Sequence, residues 1–145
     1  VALGAEIATG VLGAVGIVAV AVLFSLWFVA FSNVLAVVTR DQESTIIGAN
    51  LLQFPLLFLS SAFLPLSTLP GWIRTFAALN PVTYGVDAAR ALMLDRDVMT
   101  VVEVSAFGGA LDSVVPGVAV LSALAVALGT VAVTLLSRAT SSDVQ

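Results

Sequence analysis

The sequence predicts an all-α integral membrane protein: three transmembrane helices plus a re-entrant or interfacial helical segment. Three observations carry this expectation. Hydrophobic residues make up 60% of the 145 and charged residues 10%, where soluble domains hold roughly 45–50% and about 25%. A soluble fold of this size has no interior for so much apolar side chain, so lipid is the solvent that fits. Charge-free runs of 33, 30 and 25 residues separate Glu6 from Arg40, Glu43 from Arg74 and Asp112 from Arg138. Each exceeds the roughly 20 residues that carry a helix across about 30 Å of hydrocarbon. The third observation is that the apolar stretch is broken by Pro65 and Pro70 near the end of the second run and by Pro81 after it.

The first span is placed near residues 12–38, long enough to tilt or to leave its first turns outside the hydrocarbon. Gly10, Gly13 and Gly16 recur every third residue. They either admit a neighbouring helix or reflect the ordinary glycine content of membrane helices. A secretory signal fits this end poorly, because an acid stands at Glu6 and no basic residue precedes the apolar run. The chain opens on Val1 without an initiator Met, which raises the expectation of a fragment or processed product. Arg40-Asp41-Gln42-Glu43 then makes a charged turn into a second span, residues 46–64. Pro55 removes one hydrogen bond there and bends the helix. Asn50 and Gln53 share a face, for interhelical hydrogen bonding or for lining a transport path. The third span covers residues 114–137, with Pro116 expected in its first turn. Ala125 and Gly129, and the series Ala119, Ala123 and Ala127, suit helix packing. The tail from Arg138 to Gln145 is polar and is expected to fray.

Residues 65–94 are too apolar for a solvated loop and too interrupted for a span. Only 12 uncharged residues separate Arg74 from Asp87, about half a crossing. Asn80-Pro81 reads as an N-cap followed by proline at the first helical position. Thr83, Asp87 and Arg90 then fall on one polar stripe, with Val82, Val86 and Met93 on another face. The pattern predicts a short amphipathic interfacial helix, with Trp72 at headgroup level. Asp87 and Arg90 are expected to face water or a partner, and to form a surface ion pair of little energetic value. Residues 95–113 read as an aqueous loop with four acids and one arginine. Three crossings put Arg40 and Arg138 on one side and Arg74, Arg90 and Arg96 on the other, so charge alone leaves the orientation open.

The residues that are absent exclude several functions. Without Cys or His there is no thiolate, no Ser-His-Asp triad and none of the usual zinc ligand sets. Without Lys there is no phosphate-cradling GxxxxGK[ST] loop. No catalytic, metal or cofactor residue is expected. All five basic residues are dispersed arginines and the net charge is −4, so neither nucleic acid nor a polybasic lipid contact is indicated.

The run from Phe54 to Pro65, then Leu69-Pro70-Gly71-Trp72-Ile73, Asn80-Pro81-Val82-Thr83-Tyr84 and Ala89-Arg90, preceded by the Arg40-to-Glu43 turn, resembles the membrane subunit of type 2 ABC exporters. The likeness is strongest to permeases of the daunorubicin-resistance kind. The resemblance implies a six-span permease of which this chain is the C-terminal half, in a bacterial cell membrane, with a cytoplasmic C-terminus. It implies that Arg40 and Glu43 lie at the cytoplasmic face and that short re-entrant helices follow Pro65 on the outer side. It also implies a dimer with a second permease copy, and a separate ATPase subunit as the motor. The function expected is export of a drug-like or lipidic substrate, with Asn50, Gln53 and Pro55 as candidate path residues and Pro65, Pro70, Trp72, Asn80, Pro81, Asp87 and Arg90 in the re-entrant segment. The alternatives are a polysaccharide or glycolipid exporter and a non-transporting anchor or assembly subunit.

Overall fold

The protein is described here by a computed structural model covering residues 7–63, 70–102 and 104–142. Among these residues the elements are all helical: α1 Gly10–Thr39, α2 Gln42–Phe58, α3 Gly71–Leu79, α4 Pro81–Leu94 and α5 Leu111–Ser142. Pro65 lies outside the described residues.

Two of the helices, α1 and α5, are long and apolar enough to cross a membrane. Only 17% and 11% of their most apolar stretches are buried inside the protein. The core helix of a soluble protein would be mostly enclosed, so these surfaces call for lipid or for other apolar helices. By contrast α2 has 17 residues, about 26 Å of rise, and stops six residues before the end expected from the sequence. At its far end α5 continues to Ser142, through the first part of the tail expected to fray, and its start at Leu111 also corrects the place of Pro116. It lies in the second turn rather than the first, where it withdraws the N–H that would otherwise reach the carbonyl of Asp112.

The tight body of the fold is α1, α4 and α5, with α2 leaning more sparsely on α1. Val20, Tyr84, Ala88 and Leu121 form the buried core, flanked by Leu23, Phe24, Leu92 and Val118. Small residues bring α4 and α5 together. A Cβ on Gly117 would stand 3.0 Å from both the Ala88 Cβ and the Tyr84 carbonyl oxygen. Of the three N-terminal glycines, Gly16 faces another helix, through Leu92 of α4. The side of Gly13 is filled by Thr9 of its own segment, and Gly10 has open space around it and a positive φ of 64°.

The depth of each element follows from these contacts. Leu92 lies over Gly16 and Gly85 faces Phe24, so α4 runs antiparallel to α1. Phe24 is about 21 Å along α1 from its start. The N-terminus of α4 is therefore level with the middle of α1. Leu35 packs over Gly48, which makes α2 antiparallel to α1 as well and brings its C-terminal end to a similar level.

Substitution at Gly117 is expected to separate α4 from α5. Gly117→Leu should cost about 1–3 kcal/mol through overpacking, read as a lower melting temperature of the full-length protein in detergent. Gly129→Ala, with nothing within 4 Å of the new methyl, should leave that temperature unchanged or slightly higher.

Candidate functional site

Where a helix stops inside apolar surroundings, its last carbonyls and first N–H groups must find partners in the protein. At the end of α2 the Ser60 hydroxyl donates to the Leu57 carbonyl at 2.6 Å, and the Asn80 side-chain amide donates to the Leu56 carbonyl. The same Asn80 uses its Oδ1 to accept from the Val82 N–H at 3.0 Å, as the N-cap expected from the sequence, with Pro81 at the first position of α4. One amide thus clasps the C-terminus of α2 to the N-terminus of α4. The Tyr84 hydroxyl donates to the Ala78 carbonyl at 2.7 Å and closes the end of α3. At the far end of α4, the Ala8 N–H donates to the Met93 carbonyl at 3.0 Å and the Thr9 hydroxyl donates to the Leu92 carbonyl.

The polar stripe of α4 lies inward, which corrects the expectation of a surface ion pair. Asp87 and Thr83 are wholly buried. Asp87 Oδ1 accepts from the Ser61 hydroxyl at 2.6 Å. Its Oδ2 accepts from the Thr100 N–H at 3.0 Å and from the Thr100 hydroxyl at 2.6 Å. Arg90 is half-buried and donates to the Ser61 carbonyl at 3.3 Å rather than to Asp87. The amphipathic pattern was legible, but its polar face meets the protein. In an apolar solvent the protein interior is where hydrogen-bond partners are found. Thr83 Oγ1 has no hydrogen-bond partner among the described residues.

The candidate path residues are spread apart. Gln53 lines an open groove of about 470 Å³ between α1 and α2, together with Phe24, Ser25, Phe28, Val29 and Ser32. Asn50 is exposed, and no contact brings it into that groove. Pro55 lies within the last turn of α2, where its carbonyl accepts from the Leu59 N–H at 2.9 Å. Pro70 precedes α3, and Trp72 is exposed, edge-on to Phe76, an arrangement that suits a membrane interface.

The charged turn is a two-residue connection. Arg40 takes a left-handed conformation with φ 53° as its N–H donates to the Ala36 carbonyl. Glu43 sits in the first turn of α2, where a negative charge complements the helix dipole. The sequence reading missed Asp41 as the N-cap, although an Asp at the head of a helical run, with an acid in the first turn, carries that signal. Its Oδ2 accepts from the Ser44 N–H at 2.8 Å. Hydrogen bonds from the Ser44 side chain and backbone hold the Asp41 carboxyl below the ordinary carboxylate range. Ser61 and Thr100 were also missed. No local pattern marks a serine or threonine whose partner lies 26 or 13 residues away.

Comparison with known proteins gives a consistent set of likenesses. The family model for ABC-2 type transporters matches residues 3–94. A daunorubicin resistance ABC transporter permease of Streptomyces coeruleorubidus is 32% identical over 84 residues, covering 58% of this chain and 30% of that protein. A probable doxorubicin resistance ABC transporter permease of Mycobacterium tuberculosis is 29% identical over 100 residues, covering 69% of this chain and 36% of that protein. A putative transport permease of Cyanophora paradoxa is 34% identical over 70 residues, covering 48% of this chain and 24% of that protein. The chain therefore spans 24–36% of the length of these relatives. No solved structure gives a significant match.

Two outcomes test the local geometry. Asn80→Ala should cost about 0.5–2 kcal/mol through the lost cap and raise amide exchange at Val82. Asn80→Asp keeps the acceptor and loses the donor, so exchange at Val82 should stay slow while the end of α2 loosens. For Asp41, the folded-state value lies below the unfolded one of about 3.9. Its contribution is therefore fully present above that pH and is lost as pH falls through the lower folded value. Protection of the Ser44 amide should decline over that acidic range, and Asp41→Asn, which still caps, should flatten the decline.

Proposed function

The chain belongs to the ABC-2 type transporter family, and from that premise we propose that it is the C-terminal part of the permease subunit of an ATP-driven exporter of drug-like, lipophilic substrates. The observation that carries the reading is the clasped helix break. A chain that crossed three times with plain loops would have no use for an α4 whose N-terminus is level with the middle of α1. In this reading α2 begins the second crossing from the cytoplasmic side, and α3 and α4 dip into the outer half of the bilayer and return. The loop of residues 95–113 then lies outside, and Arg40, Glu43 and the C-terminus lie in the cytoplasm.

The groove beside Gln53 supports the substrate class. Its walls are largely apolar, with Gln53, Ser25 and Ser32 as the polar groups. A few hydrogen-bonding groups on apolar walls suit a flat lipophilic molecule with a limited polar edge. The seam between α1 and α2 is also more loosely packed than the α1–α4–α5 body. It is therefore the part of the fold that yields at least cost when a motor pulls. The motor in this reading is a separate ATPase subunit, and a second permease copy completes the path. The named function of the drug-resistance relatives agrees with a lipophilic cargo.

The test is reconstitution of the full-length permease with its cognate ATPase in vesicles. ATP-dependent movement of an anthracycline is expected, with the permease alone hydrolysing no ATP above a blank. Gln53→Leu should reduce transport several-fold while leaving assembly with the ATPase intact. ATP hydrolysis that is indifferent to any lipophilic cargo, with no transport, would favour the anchor reading instead.

A further inference from the structure

The geometry points to Asp87 as a positioning residue that ties the far end of α2 to the segment after α4, so that α2 cannot shift without carrying residues 98–102 and the start of α5. Its consequence for transport rests on the permease reading above. Its structural part rests on hydrogen bonds alone.

Asp87 is the one acidic side chain wholly buried among the described residues. A buried carboxylate is tolerated only when its oxygens are well bonded. Here the two oxygens serve two different segments. Oδ1 holds Ser61, three residues past the end of α2. Oδ2 holds both the N–H and the hydroxyl of Thr100. Arg90, one turn along α4, holds the Ser61 carbonyl from the same side. The connection continues beyond Thr100. Asp97 Oδ1 accepts from the Met99 N–H at 3.0 Å and from the Ser113 hydroxyl at 2.5 Å, and Ser113 Oγ accepts from the Val98 N–H at 2.9 Å. Ser113 lies in the first turn of α5. Two sets of hydrogen bonds, joined by the backbone from Val98 to Thr100, therefore connect the end of α2 to the start of α5, and Asp87 is where the α2 end meets that connection.

The tie depends on acceptor geometry rather than on net charge. An asparagine at 87 can offer its oxygen to the Thr100 N–H, and its amide can donate to a Ser61 hydroxyl that has rotated to accept. An alanine can do neither.

The experiment uses the full-length permease with its ATPase in vesicles, in four forms: wild type, Asp87→Ala, Asp87→Asn and Thr100→Val. Transport per ATP hydrolysed and amide exchange at Thr100 are both measured. Asp87→Ala is expected to lower transport per ATP about tenfold, with ATP hydrolysis retained, and to speed Thr100 exchange about tenfold. Asp87→Asn should stay within about twofold of wild type on both readouts. Thr100→Val keeps the carboxylate and removes one hydroxyl, so it should give a smaller loss, about threefold, and it carries the test if the alanine variant does not fold. Unchanged Thr100 exchange in Asp87→Ala overturns the tie. So does an asparagine variant as impaired as the alanine one, or full transport per ATP in both Asp87→Ala and Thr100→Val. If the wild type itself moves no substrate, the permease reading fails, and the exchange measurements alone decide whether the tie exists.

Discussion

A helix that ends inside an apolar shell exposes carbonyls and N–H groups that water does not reach, each worth several kcal/mol if left bare. This protein has such ends near the level of the middle of α1, and much of its polar side-chain chemistry goes to satisfying them and the far end of α4. Ser60 and Asn80 close α2. Asn80 opens α4, Tyr84 closes α3, and Ala8 with Thr9 closes α4. Once these are met, the remaining α4 side chains are free to pack, and Tyr84 and Ala88 join Val20 and Leu121 in the core.

The helices were legible because hydropathy and charge spacing act over long stretches. The charge-free runs located α1 and α5 to within a few residues, and the Asn80-Pro81 pair located the start of α4. The end of α2 was not legible. Hydropathy continues through Leu64, but the helix stops at Phe58 because Ser60 and the remote Asn80 take its last carbonyls. The surroundings of the α4 polar stripe were not legible for a related reason. Periodicity reveals that Thr83, Asp87 and Arg90 share a side. It does not say whether that side meets water or a serine and a threonine brought in from elsewhere. The partners Ser61 and Thr100 belong to contacts set by the tertiary fold, and short sequence windows carry no trace of them.

The division of the fold into a tight body and a loose seam bears on the transport proposed for it. Close approach at Gly117 and Gly16 locks α4 between α1 and α5, while α2 touches α1 more lightly and leaves the Gln53 groove open. Membrane helices gain little from apolar burial against one another, since lipid is equally apolar. Close packing and internal hydrogen bonds therefore decide which parts stay together. By that measure α4 moves with α1 and α5, and α2 is held chiefly by Asn80 and the Asp87 cluster at one end and by the Arg40–Asp41 turn at the other.

The central claim is that the chain enters the outer half of the bilayer through α3, breaks at Asn80 and returns through α4 to the side from which it entered. Nitroxide labels placed one at a time from residue 71 to residue 94 of the full-length protein in lipid, with depth read from collision with oxygen against a water-soluble relaxant, test this directly. The chain has no native cysteine, so within it each label reports a single site. The account predicts a depth profile that is greatest near Asn80 and falls toward the same surface at both ends. A profile that runs steadily from one headgroup region through the centre to the other would show a full crossing and contradict it.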